Sequence, residues 1–362
     1  MIDRLKKFEC CGCEACFNVC PVEAIQMKQD QEGFYYPKII QNKCISCDKC
    51  ERVCPAINSE KKKGNILNAY ACYYQNEIVR KQSTSGGIFS VIAEKFLEKN
   101  AGVVYGVQFD EKFCVVYGKA SKQEELFLFR GSKYIQCRIE KIFSEIREQL
   151  EEGKYVLFSG MPCQVEALIS FLGNDYVNLY TIDLICFGIS SPFVWDLYLD
   201  EFHMRNKIEQ IIFKDKRNGW KRWSVKFKEN GVEKYFQKNE NLYMNSYLQR
   251  INIRPSCFQC KYKGIERKSD FTLADCWGIG EQNIRLNDDN GLSAILIHTE
   301  KGKKFFELIK RNIEYEEYEP DELMQGNWAT YHSPEEGYKR KEFFEKIKVG
   351  DIKEAFMMFE FR

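Results

Sequence analysis

Eight cysteines near the N-terminus constrain this chain more than any other feature. Cys10-x2-Cys13-x2-Cys16-x3-Cys20-Pro21 recurs as Cys44-x2-Cys47-x2-Cys50-x3-Cys54-Pro55, each position displaced by 34 residues. Three cysteines on one tight loop reach three irons of a single cube. The fourth, just ahead of a proline, points to the cube of the other copy. The spacing predicts two [4Fe–4S] clusters, one held by Cys10, Cys13, Cys16 and Cys54, the other by Cys44, Cys47, Cys50 and Cys20. Zinc is the competing occupant, but it takes Cys-x2-Cys pairs separated by a longer loop. Cys11 fits neither spacing and reads as a bystander. Between the motifs, Val22 to Met27 reads as a short helical turn. Gly33 to Pro37 reads as an aromatic strand able to shield a cluster. Paired clusters move one electron at a time, so residues 1–60 are expected to be a wire and not a reaction centre.

The chain holds 17 cysteines in 362 residues, and nine fall in the first 54. That clustering favours metal over disulfides. Met1 to Glu9 is charged, without the apolar stretch of a secretory signal. No apolar run approaches the roughly 18 residues of a membrane span. A cytoplasmic chain with reduced thiols is the expectation. With 54 Lys+Arg against 53 Asp+Glu, bulk charge excludes a polyanion binder or an acidic tail.

Lys61 to Asn65 is polar and reads as a linker, after which strand and helix patterns alternate. Strands are predicted at Ala69–Gln75, Val103–Phe109, Cys114–Lys119, Tyr155–Ser159 and Leu179–Cys186, with helices at Ile88–Lys99, Arg138–Glu151, Gln164–Leu172 and Pro192–Arg205. Beyond them come strands Ile208–Lys214, Trp223–Phe227, Phe271–Leu273 and Leu292–His298, and a helix at Gly302–Arg311. The expected fold class is α+β or α/β: a bacterial two-[4Fe–4S] ferredoxin-like module followed by a mixed-sheet α/β catalytic body. The body divides into residues 65–152 and 153–330, with a helical tail at 331–362.

Ser83-Thr84-Ser85-Gly86-Gly87 lies between a strand and a helix, where small residues and backbone N–H groups can cradle a phosphate. Taken alone, the same residues read first as an ordinary helix cap. Gly131-Ser132-Lys133-Tyr134 places a cation and a ring beside a flexible turn. Neither a Walker A sequence nor G-x-G-x-x-G is present. Four richer motifs follow: Ser159 to Gln164 (SGMPCQ), Asp183 to Gly188 (DLICFG), Cys257-Phe258-Gln259-Cys260, and Asp275 to Gly280 (DCWGIG).

Together with Ser83–Gly87, Gly131–Tyr134 and Phe213–Trp220, these segments resemble the coenzyme F420 hydrogenase/dehydrogenase beta-subunit family over about residues 65 to 330. The resemblance implies an oxygen-sensitive FAD-containing iron–sulfur oxidoreductase. It implies that Ser83, Ser85, Gly86, Gly87, Ser132, Lys133 and Tyr134 line the flavin site, with Lys133 stabilising the reduced flavin or its pyrophosphate. Electrons from ferredoxin or a similar donor would pass through the clusters to FAD and on to a small anionic organic acceptor, such as a deazaflavin or a polysaccharide-pathway substrate. The alternative is a non-catalytic electron-transfer subunit docked to a partner redox subunit. Two positions depart from the pattern: Phe187 stands where the family often has histidine, and Cys276 where an aromatic residue is expected.

Nine cysteines remain outside the two repeats. Cys163 and Cys186 each follow a predicted strand, where the loops of an α/β sheet gather, and Cys257-x2-Cys260 has ligand-type spacing. A third [4Fe–4S] cluster held by Cys163, Cys186, Cys257 and Cys260 is set against the reading of buried apolar thiols, with Cys276 as a substitute ligand. Cys72, Cys114 and Cys137 read as core.

Residues 207 to 268 carry 16 Lys+Arg against 6 Asp+Glu, interleaved with aromatics. No nucleic-acid-binding fingerprint accompanies them, so no nucleic acid partner is expected. Lys214, Lys216, Arg217, Lys221 and Arg222 flank one turn and are the candidates for an anionic substrate, against the reading of a solvated basic face. Each cube with its four thiolates carries about −2 when oxidised, which makes the N-terminal module near −5. An acidic electron port on a basic body is the expectation.

Overall fold

Asp30 turns the chain inside the N-terminal module: its carboxylate accepts the backbone N–H groups of Glu32 and Phe34, both at 3.0 Å. The turn pairs β1 (Ile25–Gln29) with β2 (Tyr35–Ile39) in antiparallel register, Ile25 opposite Ile39. The helical turn expected at Val22–Met27 is therefore incorrect. Pairing with β2 outweighs the local preference. Short helices at Ala15–Val19 and Lys49–Arg52 follow the first and second cysteine loops. The computed structural model describes residues 2–58, 64–279, 285–286 and 288–359. Lys61, Lys62 and Lys63 of the expected linker and Gly280 of the fourth motif lie outside the described residues.

The body is built on one mixed sheet. Its strands are β3 (Asn68–Tyr74), β4 (Gly102–Phe109), β5 (Val115–Ala120), β6 (Tyr155–Gly160) and β7 (Leu179–Leu184), then β11 (Phe271–Asp275), β12 (Ser293–Ile297) and β13 (Ile313–Glu317). They lie in the order β13-β3-β12-β11-β7-β6-β4-β5. The central strands β11, β7, β6 and β4 run parallel, and β12, β3, β13 and β5 are added antiparallel. Strands from either side of residue 152 thus share one sheet.

Side-chain alternation sends successive residues to opposite faces. Tyr70, Cys72, Leu157, Ile182, Ile295 and Ile297 face the helices Ile88–Lys99 and Glu300–Ile309. On the other face, Val156 and Phe158 meet the helices Ile142–Glu151 and Pro162–Leu172, while Ala69, Ala71 and Leu296 pack on Leu323 and Met324. Both faces are covered, as a parallel centre requires.

A second sheet, β8 (Ile208–Asp215), β9 (Ser224–Glu229) and β10 (Val232–Gln237), is antiparallel throughout. Its inner residues Ile211, Phe213, Val225 and Phe227 share a core with Trp195, Tyr243, Phe343 and Phe356. The tail helices Arg340–Val349 and Ile352–Met357 belong to this core. Among the described residues no helix is long and apolar enough to cross a membrane.

Buried polar contacts hold the N-terminal module on the body. Glu14, 1% exposed, pairs with Arg138 at 2.9 Å and accepts the Glu140 N–H at 2.8 Å. Burial pushes its carboxyl up, and the Arg138 guanidinium opposes this. Asn18 donates to the Glu140 carbonyl at 2.6 Å, and Ser191 donates to the Glu32 carbonyl at 2.6 Å. Arg254 is fully buried and spans the join. It donates to the carbonyls of Cys10 (2.9 Å) and Tyr35 (3.0 Å) in the module and to Gln136 (3.0 Å) in the body. Gly12 lies beneath it with φ +70°; a Cβ there would sit 2.8 Å from the guanidinium and 2.6 Å from Gln136. A side chain at that position would push the join open.

Candidate functional site

Crossing of the fourth cysteines brings Cys54 to the first loop. Cys10, Cys13, Cys16 and Cys54 line one cavity, walled by Ile2, Leu5, Ala15, Met27, Pro37 and Ala56. Burial pushes the Cys16 thiol well up, reinforced by Cys10, Cys54 and Cys50, and pushes Cys54 up to about 11. Such thiols ionise only when a cation compensates the charge, which is what iron supplies. The donor set and its apolar walls fit a [4Fe–4S] cube. Among the described residues no three Cys, His, Asp or Glu side chains converge closely enough to hold a single metal ion.

Cys20, Cys44, Cys47 and Cys50 occupy the outer end of the module. All four are half-buried, and Ile45, Ser46, Asp48 and Lys49 around them are exposed. Cys50 is pushed up by burial first and by Cys20 among lesser causes, so these two thiols are neighbours. The Ala24 N–H points at the Cys20 sulfur, 3.2 Å away. The two sets differ in surroundings: the first is enclosed against the body and the second faces solvent.

Cys163, Cys186, Cys257 and Cys260 also come together. Cys163 stands in the helix after β6, Cys186 just past β7, and Gly160 pairs with Asp183 between those strand ends. Cys257 is raised by burial, then by Cys186 and Cys260; Cys186 is pushed up to about 11 by burial, against the nearby Lys263 ammonium. All four residues are half-buried, whereas Cys72, Cys137 and Cys276 are packed in apolar cores. Cys276 therefore lies apart from the group, and Cys114, half-buried near Asp196, is not a core thiol.

Cys11, which fits neither spacing, stands between the two groups. Its thiol lies against those of Cys13 and Cys163. It thus joins the first cavity to the Cys163 group. Tyr36 and Tyr262 have buried hydroxyls without a hydrogen-bond partner among the described residues. Tyr36 is influenced by Cys10, and Tyr262 by Cys11, Cys13, Cys163 and Cys54. Contact across the folded chain, not local sequence, puts Tyr262 and Arg254 there.

The glycine-rich segments meet at another place. The Ser132 N–H donates to Thr84 Oγ1 at 2.7 Å, and Lys216 donates to the carbonyls of Arg80, Ser85 and Asn290 at 2.6 to 2.8 Å. Gly86 passes so close to the sheet that a Cβ would lie 2.6 Å from the Cys72 carbonyl oxygen. Ser83 and Ser85 spend their hydroxyls on the carbonyls of Val79 and Leu292, and Gly87 starts the helix Ile88–Lys99 at φ +84°. Lys133 donates to the carbonyls of Leu128 and Arg130, and burial brings both Lys133 and Lys216 down to about 7. Tyr134 packs on Phe213 and Tyr247. Lys214 is buried, paired with Asp275 at 2.7 Å, beside the Trp277 ring that stacks on Trp220 at 4.0 Å.

The basic turn does not present one face. Lys214 and Lys216 turn inward, Arg217 stacks on Tyr235 at 3.5 Å, and Lys221 and Arg222 are exposed. Nearby lysines 226, 228 and 234 are paired with Glu233, Glu209 and Glu229. Phe187 packs against Tyr247 and Trp328, and Trp328 in turn stacks on His332.

Residues 153–322 match the family described as the C terminus of the coenzyme F420 hydrogenase/dehydrogenase beta subunit, and residues 9–57 match a 4Fe-4S dicluster domain. No curated protein matches the chain. Among solved structures, a chain from the xenon-derivatised F420-reducing [NiFe] hydrogenase complex of Methanosarcina barkeri is similar at 15% identity. The match has a TM-score of 0.49 and covers 81% of this chain and 92% of that one.

Proposed function

We propose, from the likeness of residues 9–57 to a 4Fe-4S dicluster domain and of residues 153–322 to the C terminus of the coenzyme F420 hydrogenase/dehydrogenase beta subunit, that the chain is an iron–sulfur flavoprotein oxidoreductase. Electrons enter at the solvent-facing thiols Cys20, Cys44, Cys47 and Cys50. They pass inward to the set Cys10, Cys13, Cys16 and Cys54, then to a third centre on Cys163, Cys186, Cys257 and Cys260. The observation that carries this reading is the cavity lined by Cys10, Cys11, Cys13, Cys16 and Cys54, in which Cys11 also lies against Cys163 of the body.

Clusters, when bound, supply one-electron steps, and FAD supplies the pairing of two electrons for an organic acceptor. The residues proposed to hold the flavin are Ser83 to Gly87 and Ser132 to Tyr134. What supports this is that the two segments meet at Thr84 and Ser132, that Lys216 reaches the Ser85 carbonyl, and that Lys133 and Lys216 are half-buried ammonium groups facing carbonyls. An anionic phosphate would restore their charge. Cluster walls of Ile2, Leu5 and Met27 exclude water from the inner thiols.

The test is anaerobic purification followed by heat release of the bound flavin. FAD released in proportion to chain is the expected result. Fully metallated protein that carries no flavin contradicts the reading.

A further inference from the structure

Tyr262 follows the Cys257-x2-Cys260 pair and is pinned on both sides. Lys261 donates to the Ala56 carbonyl of the N-terminal module at 2.9 Å, and Lys263 donates to the carbonyls of Cys186 (2.6 Å) and Ala329 (2.8 Å) in the body. The Arg267 guanidinium donates to the Tyr262 carbonyl. The ring is thus fixed at the join between module and body.

Its hydroxyl is buried and has no hydrogen-bond partner among the described residues. Buried hydroxyls are seldom left unpaired, so an acceptor is to be expected there. The neighbours that act on the phenol are thiols: Cys11, Cys13, Cys163 and Cys54. Three of these, Cys11, Cys13 and Cys54, line the inner cavity, as does Ala56, whose carbonyl holds the neighbouring Lys261. A neutral phenol has one O–H to donate.

We propose that Tyr262 donates its hydroxyl hydrogen bond to a sulfur of the inner cluster, on the Cys13 and Cys54 side, and so raises the reduction potential of that cluster relative to the outer one. This rests on the two-cluster reading above. A hydrogen bond to sulfur favours the reduced cluster because reduction adds negative charge to the sulfurs. The residue belongs to the body, so the inner cluster reaches its working potential only when the module is docked. An electron entering at the exposed end is then drawn inward.

The experiment compares the full-length chain with Tyr262→Phe by anaerobic redox titration followed by electron paramagnetic resonance. Loss in Cys16→Ser assigns the inner signal. Phenylalanine keeps the ring, and iron content with thermal midpoint checks the fold. The inner midpoint is expected to fall, shifting the partition of one electron between the clusters about tenfold, or about 59 mV. The outer midpoint and the iron content stay as they are. Unchanged midpoints in fully metallated Tyr262→Phe overturn the proposal, as does a shift confined to a signal that Cys163→Ser removes. If the unaltered chain shows no pair of cluster signals, the two-cluster reading fails first and takes the proposal with it.

Discussion

Replacing Arg254 by methionine removes three charged hydrogen bonds to oxygen, and a longer one to the Cys10 sulfur, while keeping most of the side-chain volume. The guanidinium is completely buried, with acceptors at 2.9, 3.0 and 3.0 Å on Cys10, Gln136 and Tyr35. Methionine leaves those three groups without that donor, at about 1–3 kcal/mol for each buried group left unpaired. Packing by the thioether recovers part of this, so about 3–6 kcal/mol is the expected loss. Total stability is only about 5–15 kcal/mol. The assay is urea denaturation of the anaerobic protein, reading both the midpoint and the bleaching of cluster absorbance. The visible chromophore of Arg254→Met should bleach at lower urea than that of the parent. Arg254→Lys keeps the charge but cannot span all three acceptors, so it should fall between them. A methionine variant within about 1 kcal/mol of the parent would refute the argument that this side chain closes the join.

Three other outcomes are expected. Cys163→Ser should lower iron by about four per chain and keep both N-terminal cluster signals, whereas Cys276→Ser should leave iron unchanged; loss of iron in the second variant would contradict the grouping of thiols. Lys133 and Lys216 titrate near 7 in the folded chain, below the unfolded value of about 10.4, so the unfolded state holds more protons between these limits. Their contribution to stability therefore rises with pH across that window. In flavin-free protein, the double methionine variant should show less gain in urea midpoint from pH 7 to pH 9 than the parent, and equal gains would contradict the assigned burial. Gly86→Ala should cost about 1–3 kcal/mol in thermal stability through overpacking, since the new methyl would meet the backbone of Cys72 and Ser293; an unchanged midpoint would contradict the close approach.

The repeated cysteine spacing was legible because ligand geometry is written into local sequence. Cys54 reaches the first loop as the crossing rule requires. Strands with alternating burial, such as β6, and the helix Ile88–Lys99 were legible because one face is buried and the period is clear. Strand β1 was missed because its pairing with β2 is a tertiary fact. Strand β10 was missed because its residues are polar and largely exposed, so no apolar pattern marks it. Cys11 seemed idle because spacing describes ligands and says nothing of a thiol that touches two ligand sets. Arg254 and Tyr262 carry no motif at all; chain segments about 240 residues apart must meet before either has a role.

Iron and acid-labile sulfide per chain, measured on anaerobically purified protein, test the central claim most directly. Three centres along one path require about twelve irons and about twelve sulfides. A value near eight would leave the thiols of the body without a cluster and break the proposed path between the module and the flavin site.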